Sequence, residues 1–278
     1  IIKDHFLDRS VVFDKAYPLL VIDEEKHLIA TGAGAYTRLV INGEQFTSGF
    51  VYDVKVHPAY RNQGIGRMIT SYYKKLFTED GYARNFTTLK LSNTPIVRMS
   101  TKVLKNIWLY PFVYLTIPVN QRIEDPFNGS QDSQFSVYLF NQKSLSADYY
   151  SMFDEGLGCF YTNKLYRLRI EKISGLLRQG LKIYKTFYPS YYELLPKENQ
   201  EMSCATLFNH SVNNMNQINK VLDRLREQRI GFLSVCCQRK DAIYSHLKKY
   251  SISTYPYYML FDFPVKPQDH VTIDVRCL

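Results

Sequence analysis

One stretch constrains this chain more than any other: an alternating apolar run, Val54-x-Val56, passes Pro58 into Arg61-Asn62-Gln63-Gly64-Ile65-Gly66-Arg67 and then into a helical pattern. Pro58 stops a strand, and Ile65, Met68, Ile69, Tyr72, Tyr73 and Leu76 recur at helical spacing as far as Gly81. A strand ending on a glycine loop and a helix collects free backbone N–H groups and the positive end of the helix dipole at one point, where an anion such as phosphate binds. Gly64 and Gly66 allow close backbone approach, and Arg61 and Arg67 add charge from either side. Two readings stand on these residues alone, a strand-turn-helix without ligand and a phosphate cradle of unspecified type. The P-loop pattern G-x-x-x-x-G-K-[ST] is absent, and a dinucleotide fingerprint would need a third glycine where the chain has Ile69.

The flanking pattern predicts where this turn sits. Tyr17 to Asp23 reads as a short strand and Leu28 to Ile41 as a longer one. Asn42-Gly43 then closes a hairpin, so that Glu44 to Val56 returns antiparallel. After the helix, Phe86 to Leu91 is a strand, Pro95 to Leu104 a helix and Trp108 to Pro118 a strand, giving the order β-β-β-α-β-α-β. The segment 123–134, IEDPFNGSQDSQ, is the best linker candidate. Beyond it strands are expected at Phe135–Phe140, Gly158–Thr162, Ser203–Phe208, Ile230–Cys236 and Thr254–Phe263. Helices are expected at Ser144–Asp154, Leu165–Tyr184, Asn213–Gln228 and Asp241–Tyr250. The expected division is therefore residues 1–122, a linker at 123–134, and a second α/β series at 135–278.

Composition narrows the partners. Hydrophobic residues at 45% and charged residues at 22% predict a folded globular chain, and no apolar run approaches the length of a membrane span. The net charge of +9 suits an anionic ligand or an acidic surface, but the basic residues are scattered singly, which disfavours a nucleic-acid module. Cys159, Cys204, Cys236, Cys237 and Cys277 show no C-x-x-C spacing and the six histidines no metal-ligand spacing, so neither a disulfide framework nor a metal site is expected. The adjacent Cys236 and Cys237 read as core residues. A reducing intracellular compartment, cytoplasm or organelle matrix, is expected; the chain opens on Ile1 rather than Met, as a fragment or processed form would.

The pattern Arg61-x-x-Gly64-x-Gly66, preceded by Val54, Val56 and Pro58, resembles motif A of the GNAT acetyltransferase superfamily, and the likeness extends over roughly residues 17 to 120. It implies a mixed α/β sheet with the GNAT fold and acetyl-CoA as co-substrate. By the resemblance, backbone amides of Gln63, Gly64, Ile65, Gly66 and Arg67 hold the pyrophosphate, with Arg61 and Asn62 beside them. Backbone groups of Val54 and Val56 take the pantetheine arm, and Asn93 lies near it, although a helix cap is an equal reading for Asn93. The run Asn93 to Pro118 is similar to the plant HOOKLESS-type and histidine N-acetyltransferase-like proteins, which carry a GNAT half followed by a half without the motif. The second series here accordingly reads as a degenerate GNAT-like half, because Asn209-His210-Ser211-Val212-Asn213-Asn214-Met215 has neither glycine nor arginine; an unrelated α/β domain is the alternative.

The resemblance implies transfer of an acetyl group to a primary amine of a small molecule, amino acid or protein. The usual acid of the family, a tyrosine in an L-Y-x-x-x-G-F pattern, is replaced at the aligned position by Ser100, and the Gly-Phe pair by Leu104-Lys105. Strand alternation places the side chains of residues 50, 52, 54 and 56 on one face, which makes Tyr52 the candidate catalytic residue, against a structural aromatic. A non-catalytic GNAT-like subunit of a larger assembly is the competing function.

Overall fold

The computed structural model describes residues 8–103, 106–129, 133–142, 145–165, 168–169, 175–187, 189–192, 197–199 and 201–278. Strands β1 (Ala16–Ile22), β2 (Leu28–Ile41) and β3 (Glu44–Val56) lead to helix α1 (Ile65–Glu79), strand β4 (Asn85–Lys90), helix α2 (Thr94–Val103) and strand β5 (Trp108–Pro118). Then follow β6 (Phe135–Tyr138), β7 (Tyr150–Met152), β8 (Gly158–Phe160), β9 (Leu168–Arg169), α3 (Gly175–Phe187), α4 (Pro189–Tyr192), β10 (Glu201–Met202) and β11 (Cys204–Phe208). The chain closes with α5 (Ile218–Glu227), β12 (Phe232–Cys237), α6 (Ala242–Leu247), β13 (Ser253–Phe261) and β14 (Val271–Asp274). None of the described helices is long and apolar enough to cross a membrane.

The chain divides into two compact units that interleave in sequence. The motif unit holds Arg9–Val113, Gln134–Ser144 and Tyr255–Leu278; the second unit holds Tyr114–Ser133 and Leu145–Thr254. Residues from beyond 123–134 therefore return to the unit that carries the glycine loop, because β14 pairs antiparallel with β2 and β13 pairs antiparallel with β4. Strand β14, Val271–Asp274, has no counterpart in the sequence reading.

In the motif unit the strand order is β6-β14-β2-β3-β4-β13, with β1 laid antiparallel on the first half of β2. The Asn42-Gly43 hairpin forms as its sequence demands: both residues have positive φ, 50° and 84°, and the β2–β3 ladder runs from Ile41↔Glu44 to Ala30↔Val56. Helix α1 buries Ile69, Tyr73 and Phe77, spaced four apart, while Met68 and Tyr72 stay exposed. The sheet beneath accepts these bulky rings only because it lacks side chains there. A Cβ on Gly34 would stand 2.6 Å from Tyr73, and one on Gly49 only 2.2 Å from Phe77.

In the second unit β11 and β12 run parallel, β8 is antiparallel to β11, and β7 pairs with β8. Helix α5 covers its core with Ile218, Val221, Leu222 and Leu225. Two expected helices differ. The span Ser144–Asp154 becomes a 3-10 turn at Ala147–Tyr149 and the strand β7, because Tyr150–Met152 pairs with Gly158–Phe160 and that ladder overrides the local helical pattern. Within Leu165–Tyr184, Leu168–Arg169 is extended and pairs with β10, and the helix starts at Gly175; 166–167 and 170–174 lie outside the described residues.

Candidate functional site

The site is built where β3 and β4 part. These neighbours are parallel but share only the rungs Gly49↔Asn85 and Phe50↔Phe86, although β3 continues to Val56 and β4 to Lys90. Past the last rung the Thr87 hydroxyl donates to the Val51 carbonyl at 2.7 Å. Strand β4 stays straight on its other edge, paired with β13 from Phe86↔Phe261 to Lys90↔Tyr257. A slot bounded by backbone therefore opens between the second half of β3 and β4.

A β-bulge aims β3 into that slot. The β2–β3 register slips between Thr31 and Ala33, and Asp53 takes up the extra residue with φ 54°. Beyond the bulge, His57 N–H donates to the Ile29 carbonyl at 2.8 Å, so residues 55 and 57 bond toward β2 and the backbone groups of Val54 and Val56 face the open side. The bulge also corrects the face assignment. Val51, Val54 and Val56 pack with Ile69, Tyr73 and Phe77 under α1, whereas Phe50 and Tyr52 stack against Phe13 and Phe86 on the opposite face. Residues 50, 52, 54 and 56 do not share a face, because the inserted residue breaks the two-residue period. Asp53 in the middle of a β-rich run was the available signal: aspartate is depleted in strands and tolerates positive φ.

After β3 the chain makes a 3-10 turn at Pro58–Tyr60 and reaches α1 through Asn62 (φ 65°) and Gly64 (φ 86°). Gly64 is the N-cap of α1, and nothing lies within 4 Å of a Cβ built on it; its requirement is the left-handed backbone. Gly66 faces the neighbouring helix, and a Cβ there would meet Met99 Sδ at 3.0 Å. The first intrahelical bond, Met68 N–H to the Gly64 carbonyl at 3.0 Å, leaves the amides of Ile65, Gly66 and Arg67 ahead of it without helical acceptors. Arg61, Asn62, Gln63 and Arg67 are exposed around this end. Arg61 Nε donates to the Val56 carbonyl at 3.2 Å, and Gln63 Nε2 to the Ala59 carbonyl at 3.3 Å. The turn is tethered from outside by Tyr60, whose hydroxyl donates to Asp23 at 2.8 Å. The His27 backbone N–H, first, and then Tyr60 hold the Asp23 carboxyl below its ordinary range.

Asn93 ends the turn after β4, its N–H donating to the Lys90 carbonyl at 2.8 Å and its carbonyl accepting from Ile96 N–H at 3.2 Å, at the start of α2. Ser100 is buried on α2; Leu104 and Lys105 lie outside the described residues. Tyr52 is 4% exposed, with Arg9 5.1 Å over its ring and its hydroxyl 2.9 Å from Ser10 Oγ. Burial pushes the Tyr52 phenol up to about 12, so it stays protonated at neutral pH. Cys236 and Cys237 are fully buried and their thiols are held well above the usual range by desolvation. Among the described residues no group of three His, Cys, Asp or Glu is placed to hold a metal ion.

Residues 3–104 match the model of the Acetyltransferase (GNAT) family. Over that stretch, less than half of the chain, the protein is similar to that family. No curated protein matches the chain in sequence. Among solved structures, Saccharomyces cerevisiae N-myristoyltransferase with bound myristoyl-CoA and inhibitors superposes over 96% of this chain and 73% of its own, at 10% identity and a TM-score of 0.51. The aminoglycoside 6'-N-acetyltransferase of Acinetobacter haemolyticus matches 34% of this chain at 19% identity and a TM-score of 0.30; the matched part spans 66% of that chain. A tandem GNAT protein from the clavulanic acid biosynthesis pathway covers 94% of this chain and 89% of its own, at 9% identity and a TM-score of 0.44. The fold is a mixed α/β GNAT fold, and the matched residues 3–104 contain the parted strands β3 and β4 and the glycine turn.

Proposed function

We propose that this protein is an acyl-CoA-dependent N-acyltransferase that moves an acetyl group from acetyl-CoA to a primary amine. The observation that carries the reading is the conjunction of a parallel ladder that stops at Phe50↔Phe86 with a left-handed Gly64 turn opening onto the N-terminus of α1. The amides of Asn62 to Arg67 and the exposed Arg61 and Arg67 suit a pyrophosphate, and the outward backbone groups of Val54 and Val56 suit the amides of a pantetheine arm. Asn93, in the turn that follows β4, would contact that arm or serve as the cap of α2. When bound, acetyl-CoA supplies a thioester: the amine attacks its carbonyl carbon, the C–N bond forms as the C–S bond breaks, the nitrogen releases one proton to solvent and the thiolate takes one up, leaving an amide and a free thiol. The protein's part is to hold the arm straight beside β3 and to offer a backbone N–H near Val56 to the carbonyl oxygen.

Tyr52 is proposed as the proton donor to the leaving thiolate. A phenol near 12 is no base at neutral pH, and burial makes it a weaker acid than an ordinary tyrosine, so its donation depends on being held against the leaving sulfur. The same residue supports the competing reading, a GNAT-like subunit that binds without turning over, because its hydroxyl is already engaged with Ser10; the resemblance, which sets Ser100 at the position of the family tyrosine, supports it too. In the second unit the turn after β11 lacks the means to hold a phosphate, which favours a degenerate GNAT-like half that shapes acceptor choice.

Titration calorimetry with acetyl-CoA tests binding, and thiol release with a panel of primary amines tests turnover. Micromolar binding with amine-dependent thiol release supports the enzyme. Binding without release under any amine supports the subunit, and no binding sinks both. Myristoyl-CoA, the ligand in the yeast N-myristoyltransferase structure, belongs in the panel; a preference for it over acetyl-CoA would replace the donor.

A further inference from the structure

A parallel ladder ends where its strands run out, where a bulge turns one strand away, or where something takes the next acceptor. Here the strands do not run out: six residues of β3 and four of β4 remain beyond Phe50↔Phe86. Gly49 N–H donates to the Arg84 carbonyl at 3.0 Å, and the same pattern carried forward would bring Thr88 N–H onto the Val51 carbonyl. That carbonyl accepts instead from the Thr87 hydroxyl at 2.7 Å. Threonine hydroxyls compete with backbone donors in this way. The competition is confined to one edge, since β4 keeps its pairing with β13 through Thr87↔Leu260 and Thr88↔Met259. Thr88 is further held by its own hydroxyl, which donates to the Cys277 carbonyl at 3.1 Å.

We propose that Thr87 is a positioning residue: by occupying the Val51 carbonyl, its hydroxyl stops the β3–β4 ladder and fixes where the slot for the acyl-CoA arm begins. The assignment rests on the acyl-CoA reading above for its consequence but not for its geometry. Without the hydroxyl the Val51 carbonyl loses its donor, and the next donor in the ladder pattern is Thr88 N–H, whose approach adds one rung and moves the apex of the slot toward Val54.

The test compares Thr87→Val, which keeps shape and strand preference but loses the donor, with Thr87→Ser, which keeps the donor; Thr87→Ala replaces the valine variant if that one does not fold. Two quantities are read: acetyl-CoA affinity by calorimetry, against adenosine 3',5'-bisphosphate as a ligand without the arm, and hydrogen exchange of the Thr88 amide in the free protein. The expected result for Thr87→Val is acetyl-CoA binding weakened at least about tenfold, bisphosphate binding within about twofold of wild type, and Thr88 exchange slowed at least about tenfold as its amide enters the ladder. Thr87→Ser should stay within about twofold of wild type throughout. Unchanged Thr88 exchange in the donor-less variant overturns the proposal, as does a serine variant that behaves like valine. A wild-type protein that binds no acetyl-CoA overturns the acyl-CoA reading instead, while the exchange measurement still decides whether Thr87 stops the ladder.

Discussion

The molecule makes the same local turn twice, strand into loop into helix, and gives the two turns opposite chemistry. In the motif unit β3 reaches α1 through exposed residues 61–64, and the helix begins on a left-handed glycine with its first amides unspent. In the second unit β11 reaches α5 through Asn209–Gln217, and here the loop closes on itself. Asn214, 3% exposed, accepts from Ser211 N–H at 2.9 Å and donates to the carbonyls of Asn209 at 2.8 Å and Glu155 at 3.3 Å. Met215 and Ile218 are buried ahead of the helix, and Lys220 in its first turn is already paired with Asp154 at 2.7 Å. An anion site needs donors that the protein itself has left unused. The first turn leaves them, and the second spends them on its own stability.

The strongest way to break this contrast is Asn214→Ala. Removing one buried side chain that serves three backbone groups should cost about 3 to 4 kcal/mol in urea denaturation, at roughly 1 kcal/mol per bond plus the penalty for a buried N–H left unpaired. Asn62→Ala in the motif turn should cost under about 1 kcal/mol, chiefly for its left-handed φ of 65°. Equal losses at the two asparagines would show that the second loop is no more self-supporting than the first.

Next in size is a pH effect in the second loop alone. Burial pushes the His210 imidazole from 6.5 down to about 4, an effect that the neighbouring backbone of Cys236 offsets only in part. The unfolded chain therefore binds more protons than the folded one between pH 6.5 and about 4, and stability falls as pH falls through that window. At about 1.4 kcal/mol per unit the loss reaches about 3 kcal/mol, with no contribution above pH 6.5. Denaturation curves at pH 7 and pH 5 check it, and His210→Leu should flatten the difference. A slope that survives the substitution assigns the effect elsewhere.

How far this contrast was legible in the sequence follows from the range of the interactions involved. Asn42-Gly43 fixed a hairpin because both residues take positive φ locally, and the bounds Leu28–Ile41, Glu44–Val56 and Trp108–Pro118 match the strands. Arg61-x-x-Gly64-x-Gly66 was readable for the same reason: its requirement lies in the backbone of a few adjacent residues. The bulge at Asp53 was not, because strict alternation was assumed through it, and Tyr52 and Val54 consequently fell on the wrong common face. Thr87 carries no signal in the sequence, since its importance depends on the Val51 carbonyl 36 residues away. Asn214 escaped notice likewise, its partners being split between its own loop and Glu155. The interleaving of the two units could not be read at all from a linker-like composition at 123–134, because β13 and β14 choose their neighbours by pairing, not by order in the chain.

Gly64→Ala separates conformation from contact in the motif turn. Nothing lies within 4 Å of the new methyl, so only the left-handed φ of 86° resists it, at about 1 to 2 kcal/mol. If the turn holds its shape, that cost appears as a melting temperature lower by several degrees. If the loop relaxes instead, it appears as acetyl-CoA affinity lower by about tenfold, because the freed amides no longer converge. The two measurements together should account for the whole penalty. A variant with wild-type stability and wild-type affinity would show that the left-handed turn is not what presents the amides.

The smallest effect sharpens the comparison most, because it concerns charge alone. Arg61 is exposed and holds the Val56 carbonyl by one bond at 3.2 Å, so Arg61→Gln should leave stability within about 0.5 kcal/mol. Acetyl-CoA affinity should fall about threefold at low ionic strength, and the difference should shrink as salt is raised, since an exposed charge acts on a phosphate through screened solvent. Lys220, on the corresponding helix of the second unit, is matched by Asp154, and Lys220→Gln should not alter acetyl-CoA affinity at any salt concentration. A salt-sensitive effect at Lys220 would mean that both turns take part in holding the anion. The contrast between them would then be one of stability only.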